Sequence, residues 1–437
     1  MPTDAVYQCP GDATAISRSI HLGRLATFYP ACRDCEHRTD VGTLDKESVL
    51  RIAAVHNRAP ADDGFTEEGF EGLAHNQIDG RTVRKFATAA GIAWLTAEAG
   101  ASFPPKIVLA ADGRPLTSEL LAAASEGLRQ TGCRVVEVEA VTAPALAQAV
   151  SDLDAAGGLF LGNPRSMPHA VGLRAWSRGA VPASAGGSLD AIRQAFLSGA
   201  PRPARTSGGL ERFVAHTAYL ARLRGFFHAL RPLTLVVDTA SSPLTQYVRQ
   251  LTATTACRIL APRPQRSSDG GGHNPRPIKP AAAPRPDALR ARRLAWLSEQ
   301  VPMDGADFGI WIDGDGECCS VVDERGKVVS PDRLLAAVAR LELAGQIGAA
   351  IVAEQATAPR SLAAIQAAGI GMTVAAPLRE SMFRALCETG STIGGGPSGR
   401  FWFACPLPTP DGLTMLAWLL GVLSRTDRPL SAVLDAG

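Results

Sequence analysis

Short apolar runs alternate with helix-period segments along most of the chain, and this alternation restricts the fold more than any other feature. Lys106 to Ala111, Arg134 to Val138 and residues 158–161 are brief, nearly continuous apolar runs, the pattern of strands buried on both faces. Between them lie segments with apolar residues at helical spacing: 82–99 (Val83, Phe86, Ala87, Ala90, Ile92, Leu95), 117–130 and 143–150. Strand and helix alternating at this pitch predict mostly parallel sheets covered by helices. The Pro- and Arg-rich stretch 200–209 reads as a linker, after which the alternation restarts. A helix is expected over 210–230, a strand over 234–237, a helix over 243–251 and a strand over 257–260. Residues 262–286 read as a long irregular loop, followed by a helix over 287–300 and a strand over 308–312. A third unit runs from 331, with helices over 332–343 and 360–368 and strands over 349–353 and 372–375.

The expected organisation is therefore a Cys- and His-rich segment at 1–45 and three α/β units at 46–200, 201–330 and 331–437. Lys and Arg number 44 against 42 Asp and Glu, a net charge of +2, so nothing in the charge balance favours a nucleic-acid or membrane partner. The longest membrane candidate, 412–424, is bounded by Asp411 and Arg425 and falls short of the ~20 residues that a spanning helix needs. The first residues lack a basic and then apolar leader. A cytoplasmic location is the expectation.

The strand at 308–312 delivers Asp313-Gly314-Asp315-Gly316-Glu317 at its C-terminal end, where α/β proteins place ligand sites. Carboxylates at alternate positions of a tight loop can converge on a hard cation such as Mg²⁺. The alternative is a solvated acidic turn leading into the hairpin at 320–328.

From this loop onward the chain resembles the α-D-phosphohexomutase superfamily, which includes phosphomannomutase, phosphoglucomutase and phosphoglucosamine mutase. The acidic loop and the following Val322-Asp323-Glu324-Arg325-Gly326 are similar to the family's DGDxDR metal loop and VDExG hairpin. Phe65 to Gly72 stands where the family has FGTDGIRG, and Asp112 to Ser118 is similar to GRDTRPSS. Leu161-Gly162-Asn163-Pro164 with Gly172-Leu173-Arg174 looks like the catalytic ASHNP…NGxK stretch, and Gly394 to Arg400 lies at the sugar loop GGExSGH. The resemblance covers about residues 62–437. It implies three tandem phosphohexomutase-like α/β/α domains, with the family's fourth domain, which carries its substrate-phosphate loop, expected to be absent. It also implies Mg²⁺ at Asp313, Asp315 and Glu317, and a hexose phosphate held by Arg114, Arg174, Ser398 and Arg400; Arg165 falls on a cleft-facing loop as well.

The chain departs from the family pattern at several positions. The phosphoserine that donates and reclaims the phosphoryl group falls on Leu161 or Gly162, neither of which has a nucleophilic oxygen. Ser166 is the candidate for a displaced nucleophile, against the reading of an ordinary loop serine. Glu71 replaces an Arg, Cys318 replaces the Arg after the metal loop, and Gly396 and Arg400 replace the sugar-loop Glu and His. These losses predict a degenerate phosphohexomutase-like protein that binds a sugar phosphate or regulates, without mutase turnover, with a paralogous active mutase as a candidate partner. The alternatives are a divergent Mg²⁺-dependent phosphoglucomutase or phosphomannomutase, and a purely structural assembly subunit.

Cys9, Cys32 and Cys35 lie outside the resemblance. The Cys32-x-x-Cys35 knuckle, with Cys9 and either His37 or His21, predicts a structural zinc site, with His37 preferred because His21 falls within a helical run. A redox role and free thiols are the alternatives. Such a module would suit a protein–protein contact.

Overall fold

The computed structural model describes residues 6–9, 14–26, 29, 32, 35–56, 64–74, 77–100, 103–163, 166, 170–199, 202–239, 241–260, 286–404 and 407–435. Most of the expected loop at 262–286, together with Arg165 and Cys405, lies outside the described residues.

Among the described residues a two-stranded sheet of Val6–Tyr7 and Ile16–Ser17 precedes three larger sheets that follow one another along the chain. The first has the order Leu210–Phe213, Arg134–Val138, Lys106–Ala111, Gly157–Gly162, Ala170–Ser177, Gly69–Leu73, Phe65–Thr66, with Val181–Pro182 beside Ala170–Ser177. Its first four strands are parallel and the rest antiparallel. Successive strand side chains point to opposite faces. Ile107, Leu109, Leu159 and Leu161 accordingly share a core with Val83, Phe86 and Trp94 of helix Gly80–Ala97. Val108, Ala110 and Phe160 share another with Leu146 and Val150 of helix Ala143–Asp152. An unbroken apolar run was therefore the correct mark of a strand covered on both faces.

The second and third sheets share one plan of three parallel strands followed by two antiparallel ones. The second runs Arg258–Leu260, Thr234–Thr239, Phe308–Ile312, Cys319–Asp323, Val328–Val329. The third runs Gly371–Ala375, Ala350–Glu354, Ile393–Gly395, Phe401–Phe403, Thr409–Pro410. One core continues through all three units, from Phe160 through Phe308 and Ile310 to Ile351, Phe401 and Leu416. The apolar segment at 412–424 is helix Gly412–Ser424, buried in this core. Among the described residues no helix is long and apolar enough to cross a membrane.

The expected helix over 210–230 is corrected. Leu210–Phe213 is a strand that pairs in parallel with Arg134–Val138 and completes the first sheet, and the helix spans only His216–Arg224. The preceding chain is pinned beside that strand, with Gly208 N donating to Arg129 O at 2.9 Å and Arg129 Nε donating to Gly208 O at 2.8 Å. A Cβ at Gly208 would lie 1.8 Å from Cys133 O, so only glycine permits this approach. Strand pairing here overrides local helical spacing.

The zinc expectation finds no support among the described residues. Cys9, Cys32 and Cys35 are all buried, but among the described residues no group of three or more His, Cys, Asp or Glu could hold a metal ion. Both histidines are engaged elsewhere. His21 stacks on Tyr7 at 4.0 Å between ring centres, with Nε2 3.0 Å from Asp40 O. His37 meets the edge of Tyr7, and its Nε2 lies 3.5 Å from Glu36 Oε1. Burial, reinforced by the nearby Cys9 and Cys35, pushes the Cys32 thiol up to about 11.

Candidate active site

The loop after the last parallel strand of each sheet opens into a common region. Asn163 follows Gly157–Gly162, Asp313 follows Phe308–Ile312, and Gly396 follows Ile393–Gly395. A cleft of about 530 Å³ lies there, within the size range of small-molecule sites. Its lining includes Arg174, Asp313, Asp315, Glu317, Ser398 and Arg400 among the residues expected from sequence. Arg114 is placed differently. Its Nη2 and Nη1 donate to Gly162 O at 2.7 Å and Ala170 O at 3.0 Å, and its Nε pairs with Asp112. It fastens the two ends of the 162–170 loop and does not line the cleft.

The acidic loop is held by its own backbone. Asp313 Oδ1 accepts from the amides of Gly316, Glu317 and Cys318 at 2.8–3.1 Å, and Asp315 Oδ1 accepts from Asn163 N at 2.6 Å. Burial raises the pKa of both carboxyls, with Glu317 adding repulsion at Asp313 and Asp313 adding it at Asp315. Among the described residues their Oδ2 atoms make no hydrogen bond. Two buried carboxylates that repel each other and offer hard oxygen donors suit Mg²⁺, which is commonly held by one or two carboxylates plus substrate phosphate. Glu317, expected as the third ligand, lines the cleft but is engaged by arginines. Its Oε1 accepts from Arg379 Nη1 at 2.9 Å, and its Oε2 lies 3.8 Å from Arg400 Nε. The residues therefore fit a two-carboxylate site.

Leu161 is wholly buried in the first core, whereas a Cβ at Gly162 would lie 2.2 Å from Asp315 Oδ1. Gly162 is thus the position that faces the acidic loop, and Asp315 occupies the space a side chain there would need. Ser166, buried and at φ +56°, accepts from Gly314 N through Oγ at 2.9 Å, so it packs against the same loop.

Several residues that shape the cleft had no sequence expectation. Glu68, in the turn between Phe65–Thr66 and Gly69–Leu73, receives Arg400 Nη1 at 2.7 Å and Arg379 N at 3.1 Å, while Arg379 Nη2 donates to its carbonyl at 2.9 Å. Arg379 is 1% exposed. Arg174 pairs with Glu71, so the carboxylate standing in place of the family's Arg serves as an ion-pair partner. In the sugar loop, Ser398 N and Oγ both donate to Glu354 at the end of Ala350–Glu354. A Cβ at Gly396 would lie 2.6 Å from Glu354 Cβ, so the glycine makes room for a carboxylate brought from the neighbouring strand. An acidic residue next to a glycine in Glu67-Glu68-Gly69 hinted at the turn, but nothing in the local sequence marks Arg379 or Glu354 as site residues.

The family model for phosphoglucomutase/phosphomannomutase, alpha/beta/alpha domain I, matches residues 62–199. A phosphoglucosamine mutase from Renibacterium salmoninarum is 27% identical over 377 residues, covering 85% of this chain and 80% of that protein. Residues 62–199 thus match the first domain of the phosphohexomutases, and the chain is similar to members of that superfamily over most of its length. A phosphomannomutase/phosphoglucomutase from Pseudomonas aeruginosa is 26% identical over 338 residues, covering 76% of this chain and 69% of that protein. The structure of a phosphoglucomutase/phosphomannomutase family protein from Burkholderia thailandensis superposes with a TM-score of 0.70 at 23% identity, covering 85% of this chain and 78% of that one. That structure shares the mixed α/β fold of a phosphohexomutase with this one.

Proposed function

We propose that the cleft receives a hexose phosphate and that the chain is a divergent, Mg²⁺-dependent phosphohexomutase, an intramolecular phosphotransferase of carbohydrate metabolism. The relatives, which carry the names of phosphoglucosamine mutase and phosphomannomutase/phosphoglucomutase, support turnover better than they support the degenerate protein expected from sequence. The observation that carries the reading is the acidic loop beside Ser166, where Asp313 and Asp315 each keep one oxygen without a hydrogen bond among the described residues. Asp313 and Asp315 would hold Mg²⁺, which neutralises phosphoryl charge when bound. Ser166 supplies a hydroxyl oxygen against that loop, and Ser398 supplies one at the opposite lip.

A second reading, hexose-phosphate binding without turnover and action through an active mutase, is favoured by one observation. Asp315 fills the space that faces the loop at Gly162. A coupled mutase assay separates the two, using glucose 1-phosphate, mannose 1-phosphate and glucosamine 1-phosphate with Mg²⁺ and the matching bisphosphate. The divergent-mutase reading expects turnover that EDTA abolishes and that Ser166→Ala lowers by at least 100-fold, the scale of losing a nucleophile's contribution. Turnover absent from homogeneous protein that still binds these sugars overturns it in favour of the second reading.

A further inference from the structure

We propose that Arg290 receives the phosphate group of the cleft's ligand; this rests on the hexose-phosphate reading above. Six carboxylates line the cleft against three guanidinium groups, so an anionic ligand meets net negative charge. Two of those three cations are already neutralised, Arg174 by Glu71 and Arg400 by both oxygens of Glu68. Arg290, from helix Pro286–Met303, has no carboxylate within ion-pair distance among the described residues. Its polar partner is a neutral hydroxyl, with Nε and Nη2 donating to Ser320 Oγ at 3.2 and 2.7 Å.

That arrangement fixes one edge of the guanidinium and leaves its Nη1 donors for a ligand. The charge also lies 5.8 Å from the centre of the largely buried Trp311 ring, a contact that holds the cation without discharging it. Gly399, at φ +81°, borders the group; a Cβ there would lie 3.1 Å from Arg290 Nη2 and 2.8 Å from Cys319 O. A side chain at 399 would therefore crowd this wall.

The placement also accounts for a departure noted in the sequence. The guanidinium expected directly after the acidic loop is missing at Cys318, and Arg290 brings one to the same wall from a helix, close enough to act electrostatically on the Cys318 thiol. Arginine binds phosphate through paired donors, and an unpaired arginine on an acidic wall is the group an incoming phosphate would contact first.

Calorimetric titration of the full chain with glucose 1-phosphate, and with glucose as the neutral control, tests the assignment in the presence of Mg²⁺. Arg290→Gln is expected to weaken glucose 1-phosphate binding by at least tenfold and leave any glucose binding unchanged. Arg290→Lys is expected to retain more affinity than Arg290→Gln, because a point charge replaces the fork. Urea midpoints matching the wild type exclude a folding defect. Equal affinity of wild type and Arg290→Gln for glucose 1-phosphate overturns the proposal while leaving the hexose-phosphate reading intact. A wild type that binds no glucose 1-phosphate overturns both.

Discussion

Glu68→Ala lowers the free energy of urea unfolding by about 3–5 kcal/mol, the scale of leaving a buried ion-pair partner uncompensated. Glu68 sits in a two-residue turn of the first sheet, yet its carboxylate receives Arg400 and the Arg379 amide, and its carbonyl receives the Arg379 side chain. Without the Glu68 carboxylate, Arg379 keeps Glu317, the residue-68 carbonyl and the face of Trp176, and Arg400 loses its bidentate partner. Glu380 reinforces the same junction, accepting from Ser184 N and Ser188 N at 3.1 and 3.0 Å, so the expected damage is loosening of the first unit against the third before global unfolding. The effect depends on pH in a defined direction. Burial alone would raise the Glu68 carboxyl, but Arg400 and Arg379 hold it down at about 2, against an ordinary value of 4.5. The stabilisation is therefore fully present above about pH 4.5 and is lost as the pH falls towards 2, an amount of about 3 kcal/mol. The wild type and Glu68→Ala should converge in stability across that window. Parallel curves would mean that the ion pairs contribute nothing to the fold.

The second large effect is expected at Asp411. This residue, 1% exposed, caps helix Gly412–Ser424 by accepting from Leu413 N at 2.9 Å and Thr414 N at 3.3 Å. It also accepts from Tyr219 Oη at 3.0 Å and Arg222 Nη2 at 3.0 Å, both on helix His216–Arg224. One carboxylate thus starts the most buried helix of the third unit and ties it to the second. Asp411→Ala removes a cap, worth about 1 kcal/mol. It also strands the buried Tyr219 hydroxyl and the Arg222 charge, for a total of roughly 4–5 kcal/mol. Asp411→Asn keeps the cap acceptor and loses the charge, so it should recover the smaller part. An Asp411→Asn variant as stable as the wild type would show that the cap dominates and the ion pair contributes nothing.

Much of this architecture was legible in the sequence because its strands are buried on both faces and read as continuous apolar runs, as at Lys106–Ala111 and Phe308–Ile312. The acidic loop was legible because glycines and carboxylates alternate at the end of such a strand. Other elements depended on partners distant in the chain. The edge strand Leu210–Phe213 exists because Arg134–Val138 offers a free side, which no local pattern records. Glu317 looked like a metal ligand until Arg379, 62 residues away, claimed its carboxylate. Glu71 and Gly396 looked like losses, yet each has an exchange partner, Arg174 in one case and Glu354 in the other. In the Cys-rich segment the spacing suggested a metal site, but Tyr7 and Asp40 hold His21, and Tyr7 and Glu36 flank His37.

The most direct test of the cleft as a hexose-phosphate site is equilibrium binding of glucose 1-phosphate, mannose 1-phosphate and glucosamine 1-phosphate to the purified full chain with Mg²⁺, read by calorimetry. The account predicts saturable one-to-one binding of at least one of them, strengthened by Mg²⁺ and weakened by Asp315→Asn. No measurable binding of any of the three at millimolar concentration would contradict it.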